Sequence, residues 1–303
     1  MAGLNQEIWT DVLVKDFRSE EGASFLNLIP DESRHVSGTK GENDVIHLVD
    51  IGANPEVLVN NITYPIGITK QDDGDIAISL DTFVTKATKV TQEEIENITY
   101  DKIRIVQEKH KESVMDTKHV KAVHALAPTT NKVNTPVLVA TGPDDGTGRR
   151  QLLLKDVRKL KKKFGENLIP SKNRVLVLTE EHHDDLLDDC ERLKKSDSHL
   201  SADDTGRIQK LLYSFQTYVY QETPYFKQAS LEKLSFGAEP QVGDTQASIA
   251  FYAKDMFRAS GLTKNYTDEP TTQNHAWLYN VRHNYVVLPR KERGIAAIIS
   301  GTV

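Results

Sequence analysis

Arg174-Val175-Leu176-Val177-Leu178-Thr179-Glu180-Glu181-His182-His183-Asp184-Asp185-Leu186-Leu187 passes from one period to another without a loop. Residues 174–178 are a short apolar run behind one arginine, the pattern of a strand buried on both faces. Thr179 is a helix cap. Glu180 and Glu181 fall in the first turn, where carboxylates meet the positive end of the helix dipole. Leu186, Cys190 and Leu193 recur at helical spacing and predict an inward stripe. A buried strand feeding a capped amphipathic helix predicts an α/β or α+β domain over roughly residues 130–303.

The flanking segments extend this reading. Leu153, Val157, Leu160 and Phe164 form a helical stripe. Its other side carries Lys155, Arg158, Lys159, Lys161, Lys162 and Lys163. With no residues there to read bases, that side is a solvated face or one that meets an acidic neighbour. Phe215–Gln221 and Ala247–Tyr252 read as strands. The latter leads into Lys254–Ser260, with a stop at Gly261. Asn280–Leu288 and Gly294–Ser300 read as two closing strands, with Pro289-Arg290 at the turn.

Upstream, a different organisation is expected. Residues 1–50 hold ten acidic side chains against four basic ones. Ile8, Trp9, Val12, Leu13 and Phe17 recur at helical spacing behind a possible cap at Asn5, and Gly22 ends the pattern. Trp9 favours an arm whose stripe needs a partner surface over a frayed end. Residues 45–90 alternate as strands. Asp72-Asp73-Gly74-Asp75 is expected to be the turn between Glu56–Thr63 and Asp75–Val84. Such a hairpin has little core of its own and must lie on something. Thr91–Ala127 is the longest helical pattern, with Thr91 and Glu94 as a capping box, a possible break near Tyr100 and Asp101, and a stop at Pro128. Its polar face dominates, so it should lie across a sheet.

Composition narrows the function classes. The chain has 303 residues, 38% hydrophobic and 27% charged, with a formal net charge of -6. Bulk attraction to nucleic acid is therefore not expected. The one cysteine, Cys190, excludes an intrachain disulfide framework and a cysteine-rich zinc site. No signal peptide is read at the N-terminus, and no apolar stretch approaches the ~20 residues of a membrane-spanning helix.

Chemistry finds little support. His182-His183-Asp184-Asp185 is the best catalytic or metal candidate. Adjacent histidines on a helix diverge by about 100°, however, and do not readily share a metal. The expected role is a solvated helix N-terminus. Cys190 lies on the apolar stripe and reads as core. Thr141-Gly142-Pro143-Asp144-Asp145-Gly146-Thr147-Gly148 has the glycines of a phosphate loop, but Arg149-Arg150 follow where Lys-Ser/Thr is required. It reads as a loop before a helix. No catalytic, cofactor-binding or metal-binding residue is assigned, and no cofactor is expected.

The order of these parts resembles the tailed-phage major capsid proteins with the Hong Kong 97-type fold. Residues 174–187 resemble that family's strand followed by an acidic helix start. Gly206–Tyr220 resembles its strand entry, with Ser214 where a glycine is usual. Ala247–Gly261 and Arg282–Ser300 resemble its later segments. The resemblance implies an α+β fold in four parts. These are an N-terminal arm (1–44), an extended β-hairpin loop (45–90), a spine helix with the start of a peripheral domain (91–135), and an axial domain with closing peripheral strands (136–303).

The resemblance also implies function. The chain would self-assemble through pentamers and hexamers into the icosahedral head shell of a tailed bacteriophage. Its partners would be itself, a portal and a separate scaffolding protein. DNA would be enclosed as contents without specific binding, and no membrane would be involved. The shell would be assembled in the host cytoplasm and reside in the virion, without catalysis. An encapsulin-like nanocompartment shell and a soluble α/β enzyme using the His182–Asp185 neighbourhood are the alternatives.

Overall fold

The structure is a computed structural model that describes residues 22–37, 45–51, 73–91, 102–194, 211–271 and 275–302. The expected helix ending at Gly22, Glu94 of the capping box and the extended run Glu56–Thr63 lie outside these residues. In chain order, β1 (Val36–Ser37), β2 (Val45–Ile51) and β3 (Asp73–Ser79) form one antiparallel sheet. Next come β4 (Asp81–Val84), β5 (Thr88–Thr91) and helix α1 (Lys102–Leu126). The remainder alternates: β6 (Val137–Val139), α2 (Leu154–Glu166), β7 (Arg174–Leu178), α3 (Glu180–Lys194), β8 (Leu211–Leu212) and β9 (Phe215–Val219). β10 (Tyr225–Lys227), β11 (Glu232–Lys233), β12 (Asp244–Tyr252), β13 (Met256–Asp268), β14 (Ala276–Pro289) and β15 (Ile295–Ile299) complete the chain.

The deciding segment folds as read. All five residues of β7 are buried. Val175 and Val177 face one core, while Leu176 and Leu178 face another. β7 lies between β12 and β9 in an eight-stranded sheet, and β15 joins β12 to β6. The first core contains Phe25 and Leu26 with Ala122, Val123 and Leu126 from the end of α1. The second contains Leu154, Val157, Leu160 and Phe164 of α2, with Leu186 and Cys190 of α3. The sheet is dry on both faces because period-2 strands supply apolar residues to each.

In a second sheet β14 lies between β13 and the edge formed by β4 and β5. Helix α1 crosses it, as its polar composition predicts. Val114 and Met115 pack on Tyr279 and Val281. Lys118, fully buried, places its ammonium 4.6 Å from the centroid of the Tyr285 ring, a cation–π geometry.

Several expectations are corrected. Asp73, Gly74 and Asp75 are not a turn but the start of β3, paired with Ile51, Asp50 and Val49. The strand ladder overrides their local turn preference. Lys254–Ser260 does not stop at Gly261. After a 3-10 turn (Ala253–Asp255), the chain continues as the thirteen-residue β13, and Gly261 sits where the register shifts between Ser260 and Thr263. The two closing strands do not pair with each other. β14 pairs with β13, β4 and β5, whereas β15 pairs with β12 and β6. Alternation identifies a strand but not its partner. Thr91 ends β5 opposite Ala276. Ala23–Ile29, expected within the arm, places Phe25, Leu26 and Ile29 in the subunit's own core. Ser214, in place of a glycine, adopts φ 79° beside Tyr213 at 47°, and the two-residue β8–β9 turn closes all the same.

The end of α2 contains a strained residue. The Leu168 amide donates to Gly165 O (3.0 Å) and the Ile169 amide to Phe164 O (3.0 Å), the two bonds of a Schellman cap. Leu168 is the left-handed residue at φ 54° and is 87% exposed. Its Cβ strain is not offset by burial, so Leu168→Gly should stabilise the subunit by about 1 kcal/mol. A higher denaturant midpoint at unchanged slope is the expected result. An unchanged or lower midpoint would remove the strain argument.

Candidate functional site

The His182-His183-Asp184-Asp185 run sits at the start of α3, and the helix divides it. The Thr179 side chain caps the helix, its Oγ1 accepting the His182 amide at 3.2 Å. From that cap His183 and Asp184 point outward, whereas His182 and Asp185 are buried. The divergence of the two histidines is as expected. The expectation of a solvated N-terminus fails for His182 and Asp185, because one side of the first turn faces the sheet.

His182 is 1% exposed and spans two strands' worth of hydroxyls. Its Nδ1 lies 2.7 Å from Ser248 Oγ and its Nε2 lies 2.8 Å from Ser300 Oγ. Ser248 Oγ also accepts the Thr179 amide at 3.1 Å. Arg149 Nη1 and Nη2 donate to Asp185 at 2.8 and 2.9 Å, a bidentate pair, and Nη1 also reaches Ser300 Oγ at 3.2 Å. Asp185 accepts the Leu152 amide and Asp189 accepts the Leu154 amide, both at 2.9 Å. Thus α3 carboxylates fasten the chain entering α2. Burial pushes the His182 imidazole down to about 4, so it is neutral at pH 7. Hydrogen bonding to Asp185 holds the Arg149 guanidinium well above its ordinary value.

A serine nucleophile needs an accessible oxygen beside its base. Ser248 and Ser300 are 0% and 2% exposed, and both histidine nitrogens are occupied by them. The arrangement fastens two strands, a helix and a loop. Cys190 is buried in the second core, as read. Among the described residues, no group of three or more His, Cys, Asp or Glu is placed to hold a metal ion. The glycine run is also accounted for. Asp144 Oδ1 accepts the Gly146 and Gly148 amides and Asp145 Oδ1 accepts the Thr147 amide, so the chain's own carboxylates fill the place a phosphate would take.

Sequence reading did not connect Arg149, Ser248 and Ser300 with His182. No local pattern links them, because the partners lie up to 118 residues apart in the chain.

Two surfaces remain. The hairpin β2–β3 is rooted by Ile46 and Ile78, which pack with Leu80, Phe257 and Val286. From the Ile46–Ile78 pair the ladder runs on to Ile51 opposite Asp73. On α2, Lys155, Arg158, Lys161 and Lys162 are exposed, while Lys159 and Lys163 pair with Asp156 and Glu166 at 2.9 Å.

A family model described as "Phage capsid protein" matches residues 73–298. Among solved structures, one of Mycobacterium phage Che8 is similar at 13% identity and a TM-score of 0.61, covering 90% of each chain. The capsid structure of Cyanophage P-SCSP1u gives 11% identity and a TM-score of 0.61, covering 90% of this chain and 86% of that one. The head structure of Helicobacter pylori bacteriophage KHP40 gives 11% and 0.56, covering 91% and 90%. At these identities the likeness is one of fold. No curated protein sequence matches the chain.

The buried imidazole makes stability depend on acidity. In the unfolded chain a histidine titrates near 6.5, whereas folded His182 titrates at about 4. The unfolded state therefore binds the extra proton first. The contribution of neutral His182 is complete above pH 6.5 and declines as pH falls through about 4. Roughly 3 kcal/mol should be lost across that window. Denaturant midpoints measured against pH should show the decline, and His182→Gln should flatten it. An equal slope in the variant would exonerate His182.

Proposed function

The chain belongs to the phage capsid protein family, and we propose that its hairpin and its N-terminal segment join neighbouring copies of the shell. It is a major capsid protein with the Hong Kong 97-like fold, which self-assembles into the icosahedral head shell of a tailed bacteriophage and encloses its DNA. Its place is the virion. The finer reading is ours. The four-part division begins with an arm ahead of Gly22 and continues through the hairpin β2–β3, the spine helix α1 and the axial domain on the eight-stranded sheet. Copies assemble in the host cytoplasm as pentamers and hexamers, aided by portal and scaffolding proteins. The role is structural, without catalysis.

One observation carries the intersubunit role of the hairpin: beyond Ile46 the ladder has two strands, and its apolar contacts among the described side chains are at its root, through Ile46 and Ile78. A two-stranded hairpin is marginal by itself in water, so the length beyond the root needs another surface. In a shell that surface is the adjacent copy. The same argument applies to the stripe of Trp9, Val12, Leu13 and Phe17. Burying a large apolar side chain gives roughly 1.5–3 kcal/mol, and a shell repeats that gain at every subunit.

Ile51 and Asp73 are direct register partners, so a two-residue Asn-Gly link can replace residues 52–72 without disturbing the root. The shortened subunit should melt like the unchanged one and sediment as subunits or small oligomers. Full-size shells in the gradient would show the hairpin to be dispensable. Deleting residues 1–21 should likewise leave a folded subunit, with shell yield reduced about ten-fold or more on the loss of one to two apolar anchors. Normal shells from that truncation would end the arm proposal.

A further inference from the structure

Two helices of the axial domain carry opposite charges in the same spacing. On α2, Lys155, Arg158 and Lys162 are exposed at i, i+3 and i+7, flanked by Lys161. On α3, Glu181, Asp184 and Asp188 are exposed at i, i+3 and i+7, flanked by Glu180. At 1.5 Å per residue each row is about 10 Å long. Both helices press their apolar sides into the same core on one face of the eight-stranded sheet, so both rows lie on the outside of that layer. Among the described residues, Lys155, Arg158, Lys161 and Lys162 have no carboxylate within ion-pair distance, whereas Lys159 and Lys163 do. Asp188 is likewise unpaired, and Asp184 has only the half-buried His183 at 3.7 Å. Glu181 reaches Arg149 at 3.6 Å, but that guanidinium already pairs with Asp145 and Asp185. Among the described residues, the basic row thus lacks a counter-charge and the acidic row keeps an excess of negative charge.

We propose that the basic row on α2 of one copy pairs with the acidic row on α3 of the next. This rests on the shell-forming role above. The chain carries a formal net charge of -6, so copies repel one another on average, and close approach needs local opposite charge. Around a rotation axis, each copy offers its neighbours two different surfaces, which must fit each other. A basic and an acidic row of equal length and spacing meet that requirement. The acidic run Asp73–Asp75 offers no such helical row, because it pairs along a strand with Val49–Ile51. Packaged nucleic acid is the competing occupant of α2. The acidic row on the neighbouring helix of the same layer would repel its phosphates, and this favours a second copy. Exposed ion pairs are individually weak, so the rows set register and direction while apolar contacts supply strength.

The test uses the full chain in three variants, each first checked for an unchanged melting transition. One is Lys155→Glu/Arg158→Glu/Lys162→Glu. The second is Glu181→Lys/Asp184→Lys/Asp188→Lys. The third carries all six changes. Each single-row reversal should lower shell yield about ten-fold or more at low salt, by placing like charges in contact. The six-fold variant, with the rows exchanged, should restore shells to near the unchanged yield. Unaltered yield from the single reversals, or no rescue by the exchange, overturns the pairing. So does a basic-row reversal that forms normal shells but loses retention of a 30-nucleotide single-stranded DNA probe; that result assigns the row to nucleic acid. If the unchanged chain forms no shells, the shell-forming reading itself fails, and this outcome differs from every variant-specific one.

Discussion

The constraint on which the rest of the structure depends is the burial of β7 on both faces. A strand exposed on one side needs one covering layer, but Arg174–Leu178 needs two. Phe25, Leu26 and the last turn of α1 cover one face, and α2 with α3 covers the other. Helices distant in sequence are thereby fixed relative to one another. A slip of one residue in β7 would exchange the valine and leucine faces, and the two cores differ in shape: one is built around Phe25 and Phe251, the other around Phe164 and Phe215.

The buried polar network is the price of that arrangement at the edge of the second core. Placing His182, Asp185 and Arg149 where water is scarce is unfavourable unless every polar atom finds a partner. Here the imidazole is held by two serine hydroxyls, the carboxylate by a bidentate guanidinium and a backbone amide, and the loop before α2 by Asp185 and Asp189. The result specifies one position for a loop that would otherwise have many. A shell subunit benefits from such fixation, because a contact repeated over a closed surface tolerates little variation in angle.

Outside the two cores, the chain puts its remaining resources on the surface. The hairpin has its described apolar contacts at its root, and among the described residues Lys155, Arg158, Lys161 and Lys162 of α2 have no carboxylate partner. These are features of a molecule that completes itself by contact with copies of itself. Weak exposed charge pairs suit this use, since assembly must be reversible enough to correct errors and still accumulate strength over many contacts.

Much of this was legible in the sequence where the physics is local. The apolar run of β7, the Thr179 cap, the inward Cys190 stripe, the stripe of α2 and the polar character of α1 follow from side-chain period and capping chemistry within a few residues. The order of those parts was enough to suggest the shell fold. Pairing was not legible. Alternation in 280–288 and 294–300 gave two strands but assigned them to each other, whereas tertiary structure sends them to different sheets. Asp73-Gly74-Asp75 carries every local mark of a turn, yet its register with Val49–Ile51 makes it strand, because ladder hydrogen bonds over seven pairs outweigh the preference of three residues. His182 read as solvated because its partners, Ser248 and Ser300, are distant in the chain, and nothing in a helix start tells which side of the first turn will face a sheet. Local preference is set by neighbours in sequence. Partner, register and burial are set by neighbours in space, and only the folded chain brings those together.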